Sequence, residues 1–100
     1  MLTHVVIFSW VEGVAADAVA RLRDALDTLA SDFADVASFA HGPDLGFREG
    51  NGDYALVATF PDRAGWDAYQ ADPRHKAFVR DHVIPIQASR LTIQFAGGEE

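Results

Sequence analysis

The pattern of hydrophobic and polar positions predicts four strands and two helical regions. Runs rich in β-branched residues, or alternating in polarity, predict strands at 3–10, 36–41, 54–60 and 90–95. After the first strand, apolar residues recur at helical spacing and predict an amphipathic helix over 15–34: Val19, Leu22, Leu26, Leu29 and Phe33. The resulting order, β-α-β-β-α-β, is typical of the ferredoxin-like split βαβ, an α+β fold. In this fold a four-stranded antiparallel sheet carries its helices on one face.

The second helical region, within 62–84, contains a break that divides it in two. Asp62 is predicted to cap the first helix, which carries Trp66 and Tyr69 one turn apart. Asp72 followed by Pro73 restarts the helix, because aspartate is a good N-cap and proline suits the first helical position. The restarted helix places four residues at i, i+3, i+4 and i+7, which predicts one shared face: His75, Phe78, Val79 and His82.

The first strand is largely apolar on both faces, which bears on assembly. Its even positions carry His4, Val6, Phe8 and Trp10, and its odd positions carry Val5, Ile7 and Ser9. A strand of this kind is usually covered on both sides. In a single domain of 100 residues the helices cover only one side. We therefore expect a homodimer in which the open sheet faces pack together as a dimeric α+β barrel.

Composition narrows the function classes further. The net charge is −7 and the basic residues are scattered, so neither nucleic acid nor an anionic membrane surface is an expected partner. No apolar run reaches the ~20 residues of a membrane span. The chain has no cysteine and no visible signal peptide, so we expect a cytoplasmic protein. The histidine spacing is poor for chelation, so we expect neither a metal nor another cofactor.

Several blocks of sequence, taken in order, resemble the stress-responsive A/B barrel domain family over about 2–96. They are His4 to Phe8, Gly42 to Gly46, Asp53 to Phe60, Tyr69 to Val79 and Arg90 to Phe95. The resemblance implies a dimeric α+β barrel. It includes an enzymatic relative, olivetolic acid cyclase, which closes a linear tetraketide thioester by aldol condensation without a cofactor.

The resemblance also implies a set of catalytic residues. The tyrosine and histidine of that cyclase, and its assisting histidine on the first strand, correspond by position to Tyr69, His75 and His4. The sequence departs from the cyclase at Asp72, where the cyclase has a further histidine. Residues of the cyclase's alkyl pocket have no clear counterpart in this chain. The resemblance therefore covers the polar residues of the site and does not identify the substrate.

Together these observations predict a mostly apolar cavity between sheet and helices. Its edge would carry His4, Tyr69 and His75, and its walls Phe8, Trp66 and Phe78 as substrate-binding residues. An imidazole with a reference pKa near ~6.5 suits a general base, which is the role expected of His75. Each polar residue also has a structural interpretation, as a satisfied core histidine or an amphipathic tyrosine. His82 is expected on the surface.

Three functions remain open from the sequence. The first is a cofactor-free cyclase or isomerase acting on a small, largely apolar aromatic or polyketide-like compound. The second is a non-catalytic, ligand-binding or stress-protective dimer. The third is a monooxygenase of the wider dimeric barrel group, either cofactor-free or with His75 as a heme ligand.

Overall fold

Residues 1–97 are described by a computed structural model, and they form four strands and three α-helices. The order is β1 (Leu2–Trp10), α1 (Ala16–Asp32), β2 (Ser38–Pro43), β3 (Tyr54–Phe60), α2 (Arg63–Ala71), α3 (Pro73–Phe78) and β4 (Gln87–Ala96). A π-helical turn, Val79–Val83, continues α3 directly. The predicted β-α-β-β-α-β order is confirmed, with the second helical region divided into α2, α3 and the π-helical turn.

The strands form one antiparallel sheet in the order β2-β3-β1-β4, so β1 lies between β3 and β4. The register places His4 opposite Ala58 of β3 and Gln94 of β4. Residues that face each other across a ladder lie on the same side of the sheet. Gln94 therefore shares the helix-covered face with His4. This topology confirms the predicted ferredoxin-like α+β fold.

β3 has the predicted bounds and β1 begins one residue earlier, whereas the bounds of β2 and β4 differ from the sequence prediction by up to three residues. β2 extends to Pro43, which pairs with Tyr54. Proline is tolerated there because β2 is an edge strand, where a missing N–H interrupts no ladder on the outer side. β4 begins at Gln87, because β4 pairs with β1 as far as Trp10, beyond a register shift next to Ser9.

Both predicted aspartate caps of the second helical region are present. The Asp62 carboxylate accepts a hydrogen bond from the backbone N–H of Gly65 at 2.9 Å. The Asp72 carboxylate accepts one from the backbone N–H of Arg74 at 2.8 Å. Each cap satisfies a donor that the first turn of a helix would otherwise leave unpaired. The chain therefore ends α2 and restarts as α3 at Asp72.

The two faces of the sheet are in different environments. The helix-side face is packed into the core with α1, and these side chains are at most 5% exposed: Val6, Phe8, Leu56, Ala58, Phe60, Leu22, Leu26 and Leu29. The opposite face carries apolar side chains that are 38% to 75% exposed: Ile7, Val57, Leu91, Ile93 and Phe95. The single chain thus leaves one apolar sheet face uncovered, as the pattern of β1 indicates.

Candidate functional site

A cavity of about 580 Å³ lies between the helix-side face of the sheet and the α2–α3 segment. This volume is within the range of ligand pockets, roughly 300–1,000 Å³. All six residues predicted for the site line it: His4, Phe8, Trp66, Tyr69, His75 and Phe78. The structure therefore brings the predicted polar residues and the predicted walls to one cavity, and their roles remain predictions.

His4 lies on β1 and is 4% exposed. Its Nδ1 lies 3.3 Å from Nε1 of Trp66 and 2.9 Å from Nε2 of Gln94. An indole N–H only donates, so Nδ1 accepts and the proton of the neutral ring is on Nε2. Burial, with smaller contributions from His75 and Arg90, lowers the pKa of His4 to about 4. His4 is therefore neutral at pH 7 and held in one tautomer.

Tyr69 lies on α2, is 1% exposed, and is packed among rings. Its ring centroid is 5.0 Å from that of Phe33 and 5.3 Å from that of Phe60. Within the described part of the chain, its buried hydroxyl has no hydrogen-bond partner. An unpaired buried hydroxyl costs about 1–3 kcal/mol, so native proteins rarely leave one without a reason. Burial raises the pKa of Tyr69, so the hydroxyl keeps its proton.

His75 lies on α3 beside Tyr69, with the two ring centroids 4.4 Å apart. Six residues along one continuous helix would place the two side chains about 120° apart around the axis. The break at Asp72 removes that constraint and lets the rings meet. Burial lowers the pKa of His75, as does the charge of Arg90, while the Gln70 backbone and Asp72 act in the opposite direction. At neutral pH His75 is therefore an uncharged base.

His82 does not line this cavity, so the predicted shared face with His75 is wrong. It lies in a separate groove with residues of α1, such as Ala25 and Leu29. The π-helical turn Val79–Val83 explains the difference, because it has more residues per turn than the α-helical spacing assumed from sequence. Val83 is directed to the cavity wall instead.

The sequence prediction missed the contribution of β4. Arg90, Thr92 and Gln94 alternate with the exposed apolar residues of that strand, and all three line the cavity. The alternation was visible in the sequence, but the sequence gives no pairing of β4 with β1. That pairing places Gln94 against His4.

Residues 1–97 lack two further kinds of feature. No group of three or more His, Asp or Glu side chains is arranged to hold a metal ion. None of the helices there has the length and apolar character needed to cross a membrane.

The four-stranded antiparallel sheet, its helices on one face and its bare opposite face define the ferredoxin-like α+β class. Within that class, the chain belongs to the stress responsive A/B barrel domain family, whose model matches residues 2–96. Among curated proteins, none matches the chain.

Solved structures share this architecture. A dimeric ferredoxin-like protein of unknown function from Thermobifida fusca is 35% identical, over 95% of this chain and 89% of that one, with a TM-score of 0.89. A family member from Mesorhizobium loti is 22% identical, over 96% and 95% of the two chains, with a TM-score of 0.81. A hydroxynitrile lyase from Passiflora edulis is 16% identical, over 99% and 94%, with a TM-score of 0.85. At these low identities, the Mesorhizobium loti and Passiflora edulis proteins show a common fold with this chain and no more.

Proposed function

We propose that this protein binds a small, largely apolar carbonyl compound in the cavity and transfers a proton on it without a cofactor. The observation that carries the proposal is the unpaired, buried Tyr69 hydroxyl beside the uncharged His75 ring. A ligand oxygen would supply the hydrogen-bond partner that the protein does not. The apolar walls from Phe8 and Phe78 suit an aromatic or alkyl body.

The chemistry that suits these groups is enolisation. His75 takes a proton from the carbon next to the carbonyl, the C–H electron pair forms a C=C bond, and the carbonyl π pair moves to oxygen. The Tyr69 hydroxyl donates a hydrogen bond to that oxygen as negative charge develops there. Return of the proton from His75 to the same carbon gives hydrogen exchange, whereas its delivery to the γ-carbon of a β,γ-unsaturated ketone moves the double bond and gives isomerisation. Alternatively, the enolate carbon attacks a second carbonyl of the same molecule, the π pair of that carbonyl moves to its oxygen, and the oxygen takes the proton from His75 as the ring closes.

His4 completes the polar edge of the cavity in this proposal. Its Nδ1 is occupied by Trp66 and Gln94, so the N–H at Nε2 is the remaining polar group of the ring. The Passiflora edulis hydroxynitrile lyase supports the proposal only to the extent that an enzyme is found on the same fold.

Proton exchange at the carbon next to the carbonyl tests the proposal directly. A set of enolisable aryl and alkyl methyl ketones in D₂O is followed by NMR with wild type, His75→Gln and His82→Gln. We expect wild type to accelerate exchange and His75→Gln to lose on the order of 100-fold or more, as for a missing general base. His82→Gln is the matched control, because His82 lies outside the cavity, and it should behave as wild type.

Two results would count against the enzyme. Ketone binding without accelerated exchange would leave a ligand-binding protein and exclude catalysis. Equal exchange rates in wild type and His75→Gln would show that His75 is not the general base.

We further propose that the protein is a homodimer formed through the outer sheet face, and that it resides in the cytoplasm. The exposed Leu91, Ile93 and Phe95 support the interface, because such a contiguous apolar surface is costly to leave in water. The Thermobifida fusca protein, 35% identical, is described as dimeric.

Sedimentation equilibrium tests this assembly. Wild type should have twice the mass of the chain, and Ile93→Glu should shift the population towards monomer by placing a charge in the interface. Ala64→Glu, on the exposed surface of α2, adds the same charge elsewhere and should remain dimeric. A wild-type monomer would contradict the proposal.

A further inference from the structure

Charge is distributed unevenly around the cavity. The chain as a whole has 15 acidic and 8 basic residues. The cavity lining has the opposite balance, because it includes Lys76, Arg80 and Arg90 and no aspartate or glutamate. Three of the eight basic residues therefore surround one cavity of a strongly acidic protein. Such a local excess of positive charge attracts anions.

The three cations differ in how far they are neutralised. Arg80 is paired with the adjacent Asp81, with nitrogen–oxygen distances of 2.8 and 3.1 Å. In the part of the chain that the structure describes, Lys76 and Arg90 have neither an ion-pair partner nor a side-chain hydrogen bond. The carboxylate that raises the pKa of His75, that of Asp72, is itself bound by Arg74. Arg90 is therefore a free guanidinium at the cavity.

Arg90 also influences the polar groups of the site. Its charge lowers the pKa of both His4 and His75. On β4 it pairs with Phe8, four residues from Gln94, which corresponds to about 13 Å along the strand. The backbone of Arg90 thus lies towards the other end of the cavity wall from Gln94, and the charge of its side chain acts on both imidazoles.

The cavity is divided into an apolar interior and a cationic mouth. The interior side chains are buried: Val6, Phe8, Leu56, Tyr69, Phe78 and Val83. Lys76 on α3 and Arg90 on β4 are the exposed, unpaired cations of the cavity lining, and we call this part of the lining the cationic mouth. A ligand that matches both parts has an apolar body and one anionic end.

We propose that the cavity selects a small organic carboxylate, with the apolar body inside and the carboxylate bound by Arg90. This rests on the proposed function, since it names the substrate class of the same cavity. One free guanidinium suits a carboxylate, because its planar N–H groups match the two oxygens in a bidentate pair. Lys76 adds positive charge at the mouth without such a geometry.

A pair of probes of equal shape tests the charge requirement. Calorimetry compares 2-naphthoate with 2-naphthamide, which differ in charge and share the apolar body. With wild type we expect naphthoate to bind roughly tenfold more tightly, which is about 1.4 kcal/mol. In Arg90→Gln we expect naphthoate to fall to the affinity of the amide and the amide to be unchanged. Arg48→Gln removes the same charge from the loop after β2, outside the cavity, and should leave both affinities unchanged.

The possible results separate this inference from the proposed function. Equal affinity of the two probes, unaffected by Arg90→Gln, would overturn the carboxylate and leave the cavity a site for neutral compounds. Tighter binding of 2-naphthyl phosphate than of naphthoate would overturn carboxylate selection in favour of a phosphate group. Failure of every probe to bind wild type would contradict both the proposed function and this inference.

Discussion

Two tyrosine–histidine pairs in this protein differ in whether the tyrosine hydroxyl has a hydrogen-bond partner. Tyr54 and Tyr69 are each 1% exposed. The Tyr54 hydroxyl lies 2.7 Å from Nδ1 of His41, whose Nε2 lies 2.7 Å from a carboxylate oxygen of Asp27 on α1. The Tyr69 hydroxyl has no partner within residues 1–97, although the His75 ring is adjacent.

The same two residue types therefore occur once in a closed hydrogen-bond chain and once beside a cavity. The Tyr54–His41–Asp27 chain links β3, β2 and α1, and each member satisfies the next, so it stabilises the fold. The Tyr69–His75 pair lines a cavity and leaves a donor unused. Polar groups left unpaired at a cavity are more typical of ligand sites than of stabilising networks.

The largest effect on stability that we expect from the cavity region is a loss of folding stability at acid pH. His4 has a folded-state pKa of about 4 against an ordinary value of 6.5, so the unfolded chain binds its proton first as pH falls. Its contribution to stability is therefore complete above pH 6.5 and is lost as pH falls towards 4. The corresponding change in the free energy of unfolding is about 3 kcal/mol at most.

Urea titrations of wild type and His4→Gln between pH 4 and 7 measure this loss. His4→Gln should be less dependent on pH, since glutamine can still accept a hydrogen bond from Trp66 and does not titrate. A slope that persists in His4→Gln would assign the acid sensitivity to other groups. All variants need the same protein concentration, because association contributes to apparent stability.

A smaller effect distinguishes the two tyrosines. Tyr54→Phe removes a hydroxyl that His41 uses, so we expect about 1–2 kcal/mol lower stability at pH 7. Tyr69→Phe removes a buried hydroxyl that nothing within residues 1–97 uses, so we expect stability to be retained or to rise, by about 1–3 kcal/mol at most. Thermal or urea unfolding measures both. Equal losses would mean that Tyr69 has a partner within the protein.

Much of the fold was predictable because the deciding signals are local in sequence. Asp62, Asp72 and Pro73 mark helix boundaries through the bonds that their own first turns require. The alternation of β1 indicated two apolar faces and hence an uncovered one. The family resemblance, rather than the spacing, raised Tyr69 and His75 above the other polar residues.

The parts that sequence missed depend on contacts between distant segments. Gln94 reaches His4 across 90 positions, and His41 reaches Asp27 and Tyr54 from a different strand. The π-helical turn Val79–Val83 packs against α1, which is distant in sequence, and the helical periodicity of the chain does not show the turn. The cationic mouth likewise appears only when α3 and β4 are brought together.

The central claim is that Tyr69 serves a ligand, whereas Tyr54 serves the fold. The most direct test measures ketone proton exchange in Tyr69→Phe and Tyr54→Phe at a temperature where both are fully folded. We predict that Tyr69→Phe loses on the order of 100-fold in exchange rate, as for a missing donor to a developing oxyanion, with stability no lower than that of wild type. Tyr54→Phe should exchange at the wild-type rate despite its lower stability. Wild-type exchange in Tyr69→Phe, or an equal loss in both variants, would contradict the account.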